Sequence, residues 1–241
     1  LADGEVTGGV AFGYTDGEAD IDARLSGAEI ETVHAGLYAA WDNGTARLSG
    51  ALNFAAHDVE TTRRIAWSGL SRTATAEREG QTWGGSLEGA WRIKIGEGLP
   101  IIAPLATLDY ARTRLGAAAE TGAGALNAHV APGDYEKLDS GLGLAASDTI
   151  SIRGTDVGLD VRALWRHSFG DNTASQAVTL QGAAGAPFLV LGPDNADDWA
   201  EVGVGFHADL TESVTLGARI DAAIASEAMS HKASVSLGWR F

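Results

Sequence analysis

Long stretches of this chain alternate strictly between apolar and polar residues, and no eighteen apolar residues run together. Alternation of period two is the pattern of a β-strand with two unlike faces. It is clearest over 82–95, TWGGSLEGAWRIKI, where Trp83, Leu87, Trp91, Ile93 and Ile95 share one face and Ser86, Glu88, Arg92 and Lys94 the other. Without an apolar run of helical length there is no transmembrane helix. The one membrane-spanning alternative is a closed β-barrel, because hydrocarbon tolerates no unpaired backbone. Such a barrel turns its apolar face to lipid and its polar face to the lumen, the reverse of a soluble sandwich.

The pattern repeats. Val202, Val204, Phe206 and Leu210 alternate with Glu201, Gly203, Gly205, His207 and Asp209; Val214, Leu216 and Ile220 with Thr215, Arg219 and Asp221. Val157, Leu159, Val161 and Trp165 alternate with Asp156, Asp160, Arg162 and Arg166, and the chain ends on Val235, Leu237, Trp239 and Phe241 against Ser234, Ser236 and Arg240. Noisier segments lie at 4–15, 28–42, 44–58, 99–115, 134–149 and 174–191, so about eleven strands of membrane-crossing length are expected. Tight turns are expected at Asp42-Asn43-Gly44, Gly96-Glu97-Gly98, Gly170-Asp171-Asn172 and Thr211-Glu212, and longer loops at 16–27, 59–77, 116–133 and 192–198. Residues 63–72 fit a short helix or an ordered loop, and Trp67 is given no girdle role. The other tryptophans and three tyrosines lie toward strand ends, as aromatic girdles require. An up-and-down barrel closes on an even count. The odd strand is therefore expected to lack a partner ahead of residues 1–4, which read as a turn.

Composition narrows the function. A net charge of -15 repels phosphate backbones, so no nucleic-acid partner is expected. The absence of cysteine excludes disulfides and thiolate metal sites. The chain starts at Leu1 with no signal-peptide pattern, and it is read as the C-terminal part of a longer precursor.

Several stretches resemble the C-terminal translocator barrel of autotransporters (type V secretion): 36–54 GLYAAWDNGTARLSGALNF, 99–115 LPIIAPLATLDYARTRL, 161–172 VRALWRHSFGDN, 183–192 AAGAPFLVLG and the terminal 234–241 SVSLGWRF. Together they span nearly the whole chain in the family's order. The resemblance implies an all-β antiparallel up-and-down transmembrane barrel of twelve strands, about eleven of them present in a single domain 1–241, in the bacterial outer membrane. The family's pore helix and first strand have no match here. The resemblance further implies a monomer surrounded by outer-membrane lipid, an N-terminal passenger carried to the cell surface, and reading of Val235, Leu237, Trp239 and Phe241 by the barrel-assembly machinery. An alternating strand with an aromatic end suits pairing with an open sheet edge.

No enzyme chemistry stands out. The histidines are scattered without a metal-binding spacing, and Gly84-Gly85-Ser86-Leu87-Glu88 lacks the last glycine of a nucleophile elbow. No cofactor is expected. Gly203 and Gly205, and Gly141 and Gly143, read as small lumen positions. The charges on the polar faces, Glu88, Arg92, Lys94, Asp156, Asp160, Arg162, Arg166, Glu201, Asp209, Arg219 and Asp221, read as salt-bridged lumen residues; with both signs present, no strong ion selectivity is expected. The competing readings are a porin- or adhesin-type barrel, an outer-membrane hydrolase barrel, and a soluble all-β binding domain.

Overall fold

The structure is a computed structural model, described over residues 4–21, 26–152, 154–170, 173–183, 185–226 and 228–239. In chain order the strands are β1 (Glu5–Ile21), β2 (Ser26–Asp42), β3 (Ala46–Trp67), β4 (Leu70–Trp91), β5 (Ile93–Lys94), β6 (Ile101–Leu115), β7 (Ala118–Ala119) and β8 (Ala128–Val130). They continue with β9 (Gly133–Ile152), β10 (Thr155–Phe169), β11 (Thr173–Leu180), β12 (Phe188–Asp194), β13 (Asp198–Asp209), β14 (Val214–Ile224) and β15 (Met229–Trp239). The main sheet runs β1-β2-β3-β4-β6-β9-β10-β13-β14-β15, every neighbour antiparallel, with β5 paired beside β6 as its eleventh strand. A second sheet, β12-β11-β8-β7, is built from the connections at one end.

Register places the apolar sets on one continuous face. Val10, Leu37 and Leu52 stand in one cross-strand row, and Val161, Val204 and Ile220 in another. This face is open: Phe12 is 82% exposed, Leu52 66% and Val235 78%. So large an apolar surface is far beyond what a soluble monomer carries, and it has the form of a lipid-facing band. Trp41, Trp91 and Trp239 mark its lower rim, at the end where strands join by tight turns. The turn after β2 is held by side chains. Asp42 Oδ1 accepts from the Gly44 amide at 2.8 Å, and Asn43 Oδ1 from those of Thr45 at 3.1 Å and Ala46 at 2.7 Å. Gly44 supplies the positive φ of 83° that this geometry needs.

Two expected loops are sheet instead. Residues 16–27 mostly extend β1 and β2, with 22–25 outside the described residues. Residues 59–77 are the upper halves of β3 and β4, a hairpin that turns at Ser68-Gly69 and carries Trp67 near its tip. There is thus neither a helix nor a loop over 63–72. Above the lipid both faces of a strand meet water, so pairing continues while the period-two hydrophobic signal disappears. On the outward side the apolar band gives way to two rungs of carboxylates. Asp16, Glu31, Asp58 and Glu79 stand opposite one another, and Glu18, Glu29, Glu60 and Glu77 form the next rung. Residues 116–133 carry β7, a short 3-10 turn and β8. Residues 174–191, expected as a barrel strand, form the β11–β12 hairpin of the second sheet.

Candidate functional site

The polar face is concave, and ion pairs between non-neighbouring strands demonstrate the curvature. Arg162 on β10 and Glu88 on β4 lie three strand spacings apart, about 14 Å along a flat sheet, yet their side chains approach to 4.0 Å. Arg162 also meets Glu201 at 2.5 Å and Asp221 at 3.4 Å. Arg166 reaches over β9 to Asp109 at 2.6 Å and to the Thr107 hydroxyl at 3.1 Å, and it lies 3.8 Å from Glu201. Arg219 reaches over β13 to Asp160 at 2.6 Å and pairs with Asp221 at 2.9 Å.

Glycines clear the paths for these side chains. A Cβ on Gly203 would collide with Asp221 and Arg219, and one on Gly205 with Asp160. On β9, a Cβ on Gly141 would strike Thr107 and the Arg166 stem. Gly203 and Gly205 of β13 and Gly141 of β9 are therefore the gaps through which β14 touches β10 and β10 touches β6.

The structure sorts the charges expected in the lumen. Glu88, Asp160, Arg162, Arg166, Glu201, Arg219 and Asp221 come together in this network. Arg92 does not; it caps the tight-turn end, donating to both carboxylate oxygens of Asp42 at 2.7 Å each. That hydrogen bond, helped by the Gly44 amide, lowers the Asp42 carboxyl to about 2. Lys94 and Asp156 stand exposed outside the network, and Asp209 accepts from the Thr215 hydroxyl at the strand end. Asp109 was absent from the expected set, although its parity with Thr107 in 99–115 marked its face. Trp199 belongs to the inner face, not to a girdle: Lys137 lies 4.9 Å and Arg166 5.7 Å from its ring centre. A chain of hydrogen bonds also crosses this face, from Thr32 through His57 and Thr82 to Thr113.

At the opposite end, Arg63 of the β3 extension grips Glu120. Its Nε donates at 2.9 Å to one carboxylate oxygen and Nη2 at 2.5 Å to the other, while the Ala128 amide donates to Glu120 at 2.7 Å. Burial pushes the Glu120 carboxyl up, but these hydrogen bonds outweigh it and leave it below the usual range. An exchange of amide hydrogen bonds between Thr75 and Thr121, at 3.0 and 2.9 Å, completes the latch between the two sheets. No loop periodicity could have signalled this pair. Of the terminal residues, Val235, Leu237 and Trp239 share the outward face of β15, and Phe241 lies outside the described residues.

A family model described as the autotransporter beta-domain matches residues 1–221. The chain belongs to the autotransporter β-domain family. It is therefore an outer-membrane translocator barrel, of a family whose role is translocation. Among solved structures it is similar to the translocator domain of the autotransporter NalP from Neisseria meningitidis, with a TM-score of 0.78 and 16% identity over 100% of this chain and 77% of that one. It is also similar to the β-domain of the Bordetella autotransporter BrkA, with a TM-score of 0.63 and 21% identity over 98% of this chain and 84% of that one. These likenesses confirm the fold of this autotransporter β-domain. No curated protein matches it in sequence.

Proposed function

We propose that this β-domain anchors an N-terminally linked passenger in the outer membrane and provides its route to the cell surface, acting as a monomer without catalysis of its own. The observation that carries this reading is the unbroken outward apolar band beside a concave charged face, the division of surfaces expected of a barrel with lipid outside and water inside. In this reading lipid covers the band and the salt-bridged charges stiffen the pore wall. The barrel-assembly machinery reads β15 and Phe241, and strand pairing from upstream sequence completes the barrel. A surface-exposed tag on the passenger tests it. Externally added protease is expected to remove the tag from intact cells, with the folded barrel migrating faster than its boiled form in detergent gels. A passenger retained in the periplasm beside a correctly folded barrel overturns the export reading. Deleting Phe241 is expected to lower outer-membrane assembly, and assembly at the wild-type level would refute the terminal signal.

A further inference from the structure

The upper parts of β1–β4 reverse the polarity of the wall below them. In the membrane the sheet turns apolar residues outward and polar residues inward. Above the lipid band it turns the two carboxylate rungs outward, and strand alternation leaves the inner side without a carboxylate. On that inner side Ile30 stands opposite Val59, Ala19 opposite Ala28, and Ile21 closes the row at the β1 edge. Only one half of this surface is covered. The segment 120–128 closes over β3 and β4: Arg63 donates to the Leu126 carbonyl at 2.9 Å as well as to Glu120, and Val59 and Ala74 are 7% and 0% exposed. On β1 and β2 the same surface is bare, with Ile21 55% and Ile30 36% exposed.

Exposed apolar surface continuous with a buried core marks a contact site. We infer that the inner side of the β1–β2 extension holds the segment of the linked passenger that emerges at the outer mouth, an apolar stretch that continues the cover laid by 120–128 over β3 and β4. The inference rests on the reading that the passenger leaves through this barrel. Position decides the occupant. The surface lies on the concave side of the wall, above the lumen, so a chain leaving the lumen passes along it. The carboxylates on the reverse of the same strands keep lipid away, and a second barrel in the same membrane would meet that outward side first. Between Gly17 and Ile30 the inner side bears no charge of either sign, so an apolar segment can settle on it without burying an unpaired charge.

The full protein carrying this chain, with a tag on its passenger, is assembled in cells with a photo-cross-linking side chain at position 21 or 30 on the inner side, or at 18 or 29 on the outer. Illumination is expected to join the barrel to the tagged passenger from the inner positions and not from the outer ones. In a second measurement Ile21→Ser and Ile30→Ser are combined; both side chains are exposed, so the barrel is expected to keep its heat-modifiable form. External protease is then expected to cut the membrane-proximal part of the surface passenger several-fold faster than in wild type. With the passenger at the surface, inner positions that cross-link to 120–128, to a second copy or to nothing overturn the inference and leave the export reading standing. Equal cross-linking from the outer positions, or unchanged cleavage in the double variant, does the same. A passenger held in the periplasm beside a folded barrel overturns both.

Discussion

The residues with most influence on the inner face are its glycines. Arg219 and Asp160 meet across β13 only because Gly203 and Gly205 put no side chain between them. Gly205→Val is expected to break this contact and lower stability by about 1–3 kcal/mol, the usual cost of overpacking a filled site. The heat-modification temperature in detergent reads it out, and a variant as heat-stable as wild type would show the gap to be dispensable. Sequence alone marked these glycines as small inward positions from their parity, but what fills the gap depends on strands far away in the chain. At the tight-turn end, Asp42 makes a pH prediction. Its carboxyl titrates near 2 in the fold against an ordinary 3.8, so its contribution is complete above the ordinary value and is lost as pH falls through the folded one. The stability gap between wild type and Asp42→Asn is therefore expected to be constant from pH 7 to 5 and to shrink between about pH 4 and 2. A gap independent of pH across that window would refute the pairing with Arg92.

At the scale of the strand, legibility followed the solvent. Where lipid meets one face and water the other, alternation identified strands and faces together, as in β4, β10, β13 and β14. Where water meets both, as in the upper halves of β3 and β4, the chain still pairs residue for residue from Arg63↔Ala74 to Trp67↔Leu70, yet it reads as loop. The carboxylate rungs belong to this part. Like charges directly opposite one another destabilise a sheet. The extension formed by β1–β4 is accordingly expected to become more resistant to proteolysis as monovalent salt rises toward 1 M, with cleavage confined to 16–31 and 58–79; no change with salt would mean that the rungs do not repel. The Arg63–Glu120 latch acts on the same end. Glu120's side chain is 9% exposed, and Arg63→Ala would leave it buried with only the Ala128 amide, a loss of about 1.5–3 kcal/mol for charged hydrogen bonds. The second sheet is expected to detach while the membrane strands hold. Limited proteolysis should speed up over 116–133 with the heat-modification temperature unchanged, and equal cleavage rates would show that the Thr75–Thr121 bonds suffice.

For the whole molecule the open question of construction is closure. The sheet path begins at β1 and ends at β15, and among the described residues neither strand pairs on its far side. Unpaired backbone in hydrocarbon costs several kcal/mol per group, so these two edges cannot face lipid. Ten strands alternate in direction along the path, which makes β1 and β15 antiparallel. An up-and-down barrel can therefore close by direct β1–β15 pairing or through two further strands, but not through one. The count of strands from the sequence could not settle this, because 174–191 imitates a membrane strand and folds into the second sheet. If upstream sequence supplies the missing pairing, cysteines placed singly along 6–14 and combined with one at Leu237 are expected to give no disulfide in the folded full protein, since a disulfide needs Cα atoms within about 7 Å. The 241-residue chain alone is then expected to lack a heat-modifiable form that the full protein displays. Efficient cross-linking between any such pair, with heat-modifiable mobility of the isolated chain, would instead establish a ten-stranded barrel closed on β15.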